Sequence, residues 1–235
     1  MLVLFSVFAV AAAGNGEHVS FDPPNKYFIN TVPFTRQLPN FCGPASLVSL
    51  LAYYDIPLTQ KVIASCAYDS GKSGTNGADL LLYCREKGLS AYSFNSTLPE
   101  LKKLIAKGYP VIVLQEWSKN NKTGHFRVAV GYNDSERTIT LRDSMTPKLV
   151  KLSYTGFDNL WQRRGRWAML AMPPKKDSFK DDFGTSNAVV HMDLAQAYLR
   201  RKDFKSAEQE CRKALGIEPQ NPFAHKLLTQ AKSKA

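Results

Sequence analysis

Cys42 is the residue of this chain whose type and setting could do chemistry most directly. It stands in the stretch Gln37-Leu-Pro-Asn-Phe-Cys42-Gly-Pro-Ala-Ser46, which leads into a helical pattern of apolar residues. The unpaired backbone N–H groups and the dipole at such a helix start favour a thiolate over a thiol. Gln37 could aim an amide N–H at the group that the thiolate attacks. The stretch predicts a cysteine nucleophile, although a lone cysteine in this position is more often a small core residue.

Two residues in the second half of the chain could complete the chemistry of Cys42. His125 opens the apolar run Phe126–Gly131, and Asp143 ends the run Ile139–Arg142. The start of one strand lies beside the end of the next in an antiparallel pair, so we expect both residues at one sheet edge. A cysteine nucleophile needs a base within reach and a carboxylate that fixes the tautomer of that base. A lone histidine such as His125 is more often a surface residue, and a lone aspartate such as Asp143 is more often a turn residue. Their joint placement is what predicts a triad.

The elements around these residues fall into a helical first half and a sheet-rich second half. Apolar periodicity and the helix-ending glycines predict helices over 42–54, 58–66, 78–87 and 98–107 and a short one that carries Phe157 and Trp161. Alternating or branched apolar runs predict strands over 31–34, 90–94, 110–115, 125–132, 138–142, 148–152 and 167–172. This order of elements predicts the α+β class.

Four segments are predicted along the chain: an apolar segment 1–16, a catalytic domain 17–174, a linker 175–186 and a helical module 187–235. The apolar run Leu2–Ala13 resembles a secretory signal with a small-residue cleavage site, and it is too short to span a bilayer comfortably. No Lys or Arg precedes it, which leaves the true N-terminus open. We predict export to the periplasm or the extracellular space, and a cytoplasmic protein if the run is not a signal.

The composition is that of a globular protein, with 44% hydrophobic and 22% charged residues. The net charge of +11 is spread along the chain and forms no dense basic stripe of the kind that nucleic-acid binding requires. We therefore predict no nucleic-acid partner, while association with a membrane surface stays an open possibility. We also predict no transmembrane domain.

The cysteines and histidines show neither a disulfide scaffold nor the spacing of metal ligands. The sequence therefore predicts no metal and no cofactor. In an exported protein the bridge that we expect first is Cys66–Cys84, with Cys42 left as a thiol.

Four motifs occur together between residues 30 and 174. They are Gln37 with Cys42-Gly-Pro-Ala-Ser-Leu47, Gly124-His125-Phe-Arg-Val-Ala-Val-Gly-Tyr132, Leu141-Arg-Asp143-Ser144, and Phe157 and Trp161 with Trp167–Pro173. In this combination the chain resembles the double-glycine (bacteriocin-leader) peptidase-like family, whose members are papain-fold cysteine peptidases. The resemblance implies a bacterial thiol protease that acts on a peptide or protein, with a Cys42, His125 and Asp143 triad. It also implies an oxyanion hole made by Gln37 and the backbone N–H of Cys42.

The reaction implied by the resemblance is acyl transfer, which ends in peptide or peptide-amide hydrolysis when water is the acceptor. The best-known members of the family process leader peptides as the N-terminal domain of membrane exporters. Neither transmembrane helices nor an ATPase domain is predicted here, so we do not predict cleavage after Gly-Gly leaders. Two alternatives stay open: transfer to an acceptor other than water, and a catalytically idle papain-fold module that recruits partners.

The helical module resembles one tetratricopeptide repeat over residues 188–221. The matching positions are Leu194, Ala195, Tyr198, Asp203, Phe204, Ala207, Cys211, Ala214 and Pro219, with His191 in the place of the usual Trp. About three repeats are needed for a free-standing solenoid. We therefore expect the module to pack on the catalytic domain, to bind a protein partner or to bind another copy of the chain.

Overall fold

The structure is a computed structural model that describes residues 21–184 and 186–234. The apolar run Leu2–Ala13, and with it the predicted export signal, lies outside the described residues. The helices are α1 (Cys42–Ala52), α2 (Gln60–Ala67), α3 (Gly77–Glu86), α4 (Leu98–Ala106), α5 (Tyr154–Trp161), α6 (Lys180–Gly184), α7 (Ala188–Arg200), α8 (Phe204–Ile217) and α9 (Pro222–Lys232). The strands are β1 (Lys26–Phe28), β2 (Tyr68–Asp69), β3 (Gly74–Thr75), β4 (Ser90–Asn95), β5 (Val111–Ser118), β6 (Asn121–Asn133), β7 (Thr138–Arg142), β8 (Val150–Ser153) and β9 (Trp167–Met172).

One antiparallel sheet carries the second half of the catalytic domain, as the α+β prediction requires. Its order is β4-β9-β5-β6-β7-β8, and β1 pairs with the end of β6. The long strand β6 therefore has neighbours on both sides. Each predicted helix from α1 to α4 is present, with its ends within two residues of the predicted ones.

Helix α1 is the buried helix of the domain and packs against β6. Leu47, Leu50 and Leu51 are completely buried in one continuous core that also contains residues of α3, α4 and the sheet. A helix that is apolar on most of its surface is expected to be buried in this way. Its first residue, Cys42, is thereby fixed against the sheet that carries His125.

The strand predicted over 31–34 was wrong, because the pairing strand is β1, at Lys26–Phe28. Val32 is buried in the core without belonging to a strand. Its apolar character reflects packing, and Pro33 beside it has no N–H to offer to a ladder. The β6 strand is also longer than predicted, since it begins at Asn121 and not at His125.

The segment predicted as a linker contains α6 and contacts the domain. Phe183 stacks on Phe94 with ring centroids 4.4 Å apart. Phe179 meets Tyr109 edge to face at 4.7 Å. These aromatic contacts hold the segment on the outer face of β4, where aromatic burial contributes beyond simple area.

The C-terminal helices α7, α8 and α9 pack on the catalytic domain through α7, which contacts α3 and β4. The buried carboxylate of Asp193 accepts a hydrogen bond of 2.7 Å from the indole N–H of Trp167. Arg200 binds Asp79 in the first turn of α3 through two nitrogens, at 2.9 Å each. Cys211 is fully buried and lies with Ala195 and Leu227 between the three helices. The helices are thus joined to the domain by both apolar and charged contacts.

None of the helices in the described part of the chain has the length and hydropathy that crossing a bilayer requires. Cys66 and Cys84 are both thiols, the first exposed and the second buried, so the bridge that we expected between them is not formed.

Candidate active site

Cys42 occupies the first position of α1, where the first-turn N–H groups of a helix have no partners within the helix. The preceding residue, Phe41, is the N-cap and offers no side-chain hydrogen bond to those groups. Gly43 comes close to β3, because a Cβ on it would lie 3.0 Å from the Thr75 side chain. Because no cap side chain binds them, the backbone N–H groups of Cys42 and Gly43 can donate hydrogen bonds to the Cys42 sulfur or to a bound substrate.

The electrostatic setting of Cys42 differs from the prediction that a helix start lowers its pKa. Burial raises the pKa of the Cys42 thiol, and hydrogen bonds from the N–H groups of Phe126, Gly43 and Cys42 offset only part of that rise. Desolvation disfavours the charged form of any acid, and here it outweighs the helix start. Cys42 by itself therefore rests as a thiol and needs a base to become a nucleophile.

His125 and Asp143 are brought together as predicted. The Nε2 atom of His125 lies 3.0 Å from Oδ1 of Asp143, and both side chains are almost fully buried. Val128 of β6 pairs with Arg142, the last residue of β7, which places Asp143 beside the middle of β6, close to His125. A carboxylate can only accept, so Nε2 carries the proton and Nδ1 presents a lone pair. This is the tautomer that a general base requires.

The pKa values of this pair are set by burial and by their mutual contact. Burial lowers the pKa of His125, and its hydrogen bond to Asp143 opposes that shift in part. Burial alone would raise the pKa of Asp143, but the hydrogen bond and charge of His125, the N–H of Met145 and the charge of Arg127 hold it well below its usual range. His125 is thus neutral and basic at neutral pH, whereas Asp143 stays ionised.

Arg127 is a buried cation that supports Asp143 from the side opposite His125. Its Nε donates to Oδ2 of Asp143 at 2.7 Å, and Nη1 donates to Oε1 of Gln115 at 3.1 Å. Gln115 in turn donates to the carbonyl of Phe157 at 3.0 Å. This chain of hydrogen bonds fixes the carboxylate that orients the histidine, as second partners do in other catalytic sites.

Gln37 lies in the segment before α1 and is held at its backbone and at its side chain. The Ser144 hydroxyl donates to Oε1 of Gln37 at 2.8 Å, and the Gln37 N–H donates to the Ser144 carbonyl at 3.1 Å. Gln60 braces the residues on either side, since it accepts from the N–H of Leu38 and donates to the carbonyl of Arg36. Because Oε1 is occupied, the amide presents Nε2 as its donor.

One pocket of about 460 Å³ joins these groups: Gln37, Cys42 and His125 line it, and Asp143 lies behind His125. Trp117 covers the imidazole, with ring centroids 4.1 Å apart. In the described part of the chain no hydrogen bond joins the Cys42 sulfur to His125. Catalytic contacts of this kind are often long before substrate binds.

Three supporting residues were missed by sequence reasoning: Arg127, Ser144 and Trp117. One signal could have revealed the first, because Arg127 interrupts the apolar run Phe126–Gly131 two residues after His125 and must share its face. Ser144 directly follows Asp143, but no sequence pattern joins it to Gln37, which lies far away along the chain. Trp117 had no such signal either.

A model of the protein family described as Peptidase_C39 like family matches residues 29–169. The chain belongs to the Peptidase_C39 like family. Membership places it among the cysteine peptidases, which act on peptide substrates. The family match covers every one of the four predicted site residues: Gln37, Cys42, His125 and Asp143.

Two solved structures are similar to this member of the Peptidase_C39 like family in fold. A protein described as a C39-like peptidase from Bacillus anthracis is 20% identical, with a TM-score of 0.52, over 63% of this chain and 97% of that one. The peptidase domain of ComA from Streptococcus, a bi-functional ABC transporter, is 19% identical, with a TM-score of 0.50, over 60% of this chain and 98% of that one. No curated protein matches the chain. These likenesses concern the fold, and the family match covers residues 29–169.

Proposed function

We propose that the chain hydrolyses peptide bonds with Cys42 as nucleophile, His125 as general base and acid, and Asp143 as the group that orients His125. The observation that carries the proposal is the buried contact of 3.0 Å between His125 Nε2 and Asp143 Oδ1, in a pocket that Cys42 also lines. A buried neutral imidazole with its lone pair on Nδ1 is the base that a desolvated thiol needs.

In the first half of the reaction the Cys42 proton passes to Nδ1 of His125 as the sulfur attacks the peptide carbonyl carbon. The new S–C bond moves the carbonyl electrons onto oxygen. When they return, the C–N bond breaks, and the leaving amine takes the proton from His125. The product that stays is a thioester between Cys42 and the acyl part of the substrate.

In the second half water attacks the thioester and gives a proton to His125. Collapse of that intermediate breaks the S–C bond, and the Cys42 sulfur recovers its proton. The Asp143 carboxylate stabilises the imidazolium that forms in each half without taking its proton.

The oxyanion in both halves would be bound by Nε2 of Gln37 and the backbone N–H of Cys42. The hydrogen bond of Ser144 to Oε1 supports this role, because it fixes which end of the Gln37 amide faces the pocket. Preorganised donors of this kind contribute about 2.7–4 kcal/mol each to the barrier reduction.

Peptide turnover tests the proposal. The purified chain is mixed with a peptide library, and new N-termini are identified by mass spectrometry, with Cys42→Ala as the inactive variant. Cys66→Ala is the matched control, because Cys66 is exposed and distant from the pocket lining. We expect cleavage by the wild type and the Cys66 variant and none by the Cys42 variant. Equal cleavage by both variants, with unchanged circular dichroism, would remove Cys42 from the mechanism.

We further propose that the chain is exported and that residues 188–221 form a single tetratricopeptide-like repeat. The apolar run Leu2–Ala13 supports export, and cell fractionation of the tagged chain tests it.

The antiparallel pair α7 and α8 supports the repeat, but α7 already contacts the catalytic domain. A protein partner would therefore bind the faces of α8 and α9 that α7 does not cover. Pull-down with Phe223→Ala, a change at an exposed apolar residue of α9, tests that role.

A further inference from the structure

Arg164 is a charged residue of the catalytic pocket that the proposed mechanism does not use. It ends the short 3₁₀ helix that follows α5, and its half-buried side chain lines the pocket together with Cys42 and His125. A Cβ built on Gly124 would lie 3.7 Å from Cζ of Arg164 and 3.8 Å from its Nη2. The guanidinium therefore lies against the backbone of the residue that immediately precedes His125.

The charge of Arg164 has no partner of opposite sign. No carboxylate of the described residues lies within ion-pair distance of it, whereas its neighbour Arg163 binds Glu116 at 3.1 Å. One nitrogen, Nη2, donates to the carbonyl of Lys122. The Nε atom is buried and has no hydrogen-bond partner. The guanidinium has thus lost part of its hydration without gaining a counter-charge, which is an unfavourable state for a cation.

The rest of the pocket does not supply that counter-charge. No Asp or Glu is among the described residues that line it, and its polar side chains other than His125 and Arg164 are neutral, as Asn40, Asn76 and Thr123 illustrate. A guanidinium carries five N–H donors in a planar fork that matches a carboxylate. A carboxylate that arrives with the substrate would supply the missing counter-charge.

We propose that Arg164 binds a carboxylate of the substrate and makes the enzyme select peptides with Asp or Glu near the cleaved bond. This inference rests on the proposed function, since it names the substrate class of the same site. The carboxylate would take the Nη edge of the guanidinium, because Nε is buried. An acidic peptide would neutralise this charge within the pocket.

Paired peptides that differ only in Glu or Gln test the proposal. In a quenched-fluorescent series, one position at a time carries Glu or Gln, from four residues before the cleaved bond to three after it. At one position we expect wild-type kcat/KM to favour Glu by about tenfold, which corresponds to about 1.4 kcal/mol, with the preference falling as salt is raised. A wild type that treats Glu and Gln alike at every position would overturn the proposal.

Two arginine variants make the assignment specific. Arg164→Gln should reduce the preference to about twofold or less, and Arg164→Lys should keep part of it, because the charge stays and the fork is lost. Arg163→Gln is the matched control, since Arg163 is adjacent and does not line the pocket. It should retain the full preference. If the preference survives in Arg164→Gln, or disappears equally in Arg163→Gln, then Arg164 is not the binding group.

A binding measurement separates this inference from the proposed function. Fluorescence anisotropy of the same peptides with Cys42→Ala reports the Glu preference without any turnover. If no peptide is cleaved but binding favours Glu and loses that preference in the double variant with Arg164→Gln, the peptidase proposal fails and the carboxylate site stands. Binding without a preference for Glu overturns the carboxylate site, whether or not peptides are cleaved.

Discussion

The substitution Arg127→Met is predicted to weaken the protein far more than the loss of an ordinary ion pair. The side chains of Arg127 and Asp143 are only 8% and 7% exposed, and they are joined at 2.7 Å. Removal of one partner leaves the other charge buried and poorly compensated, which costs about 3–5 kcal/mol. Methionine keeps most of the apolar stem, so the loss of packing is small. The free energy of unfolding in urea at pH 7 measures the effect.

The loss should depend on pH, because Arg127 lowers the pKa of the buried groups Asp143 and His125. The pKa of folded Asp143 is held below its value in the unfolded chain, so its contribution is fully present above about pH 4 and is lost as the pH falls toward the folded pKa. Without Arg127 the folded pKa rises toward the unfolded value, and less stability remains to be lost in acid. The difference between wild type and variant should be smaller at pH 3 than at pH 7, because Arg127 lowers the folded pKa of both Asp143 and His125.

An exposed ion pair supplies the control for this prediction. Arg212 binds Glu208 on the surface of α8, with side chains 61% and 28% exposed. Arg212→Met should cost less than about 1 kcal/mol. The reasoning is refuted if Arg127→Met costs no more than Arg212→Met, or if its cost does not shrink in acid. The kcat of the Arg127→Met variant should also fall, because Asp143 would no longer hold the His125 ring in one orientation.

Two smaller substitutions test the support of Gln37 and the packing at Gly77. Ser144→Ala removes the hydrogen bond to Gln37 and should lower kcat about tenfold, for a loss of about 1–1.5 kcal/mol, with KM and the melting temperature nearly unchanged. A parallel fall in melting temperature would make Ser144 a structural residue instead. Gly77→Ala would place a Cβ 2.5 Å from Cζ2 of Trp167 and should destabilise the protein by about 1–3 kcal/mol. Gly216→Ala, where a Cβ meets nothing within 4 Å, should not, and equal melting temperatures for the two variants would contradict the close packing at Gly77.

The positions of the chemical groups could be predicted because they depend on short-range patterns. A helix start explains the setting of Cys42, and the antiparallel pairing of β6 with the end of β7 explains why His125 and Asp143 meet. The residues that support them depend on long-range contacts. Ser144 reaches Gln37 across the domain, and no local pattern connects the two.

The errors have equally physical causes. The predicted fall in the pKa of Cys42 ignored desolvation, which depends on how closely β6 covers the start of α1. The strand predicted over 31–34 came from apolar character, which burial alone explains for Val32. The spacing of the matching residues within 188–221 predicted the presence of the C-terminal helices. Their attachment through Asp193 and Arg200 depends on partners in the catalytic domain that the spacing does not contain.

The reactivity of Cys42 tests most directly whether His125 is its base. Because burial raises the pKa of this thiol, we expect rapid alkylation at pH 6 only if a base takes its proton, and His125 is the base in the pocket. The rate with iodoacetamide is measured by peptide mass spectrometry in a Cys66→Ser background, for the wild type and for His125→Ala. We predict that Cys42 of the wild type reacts at least about ten times faster than that of the variant, which corresponds to about 1.4 kcal/mol. Equal rates in two folded proteins would contradict the pairing of Cys42 with His125.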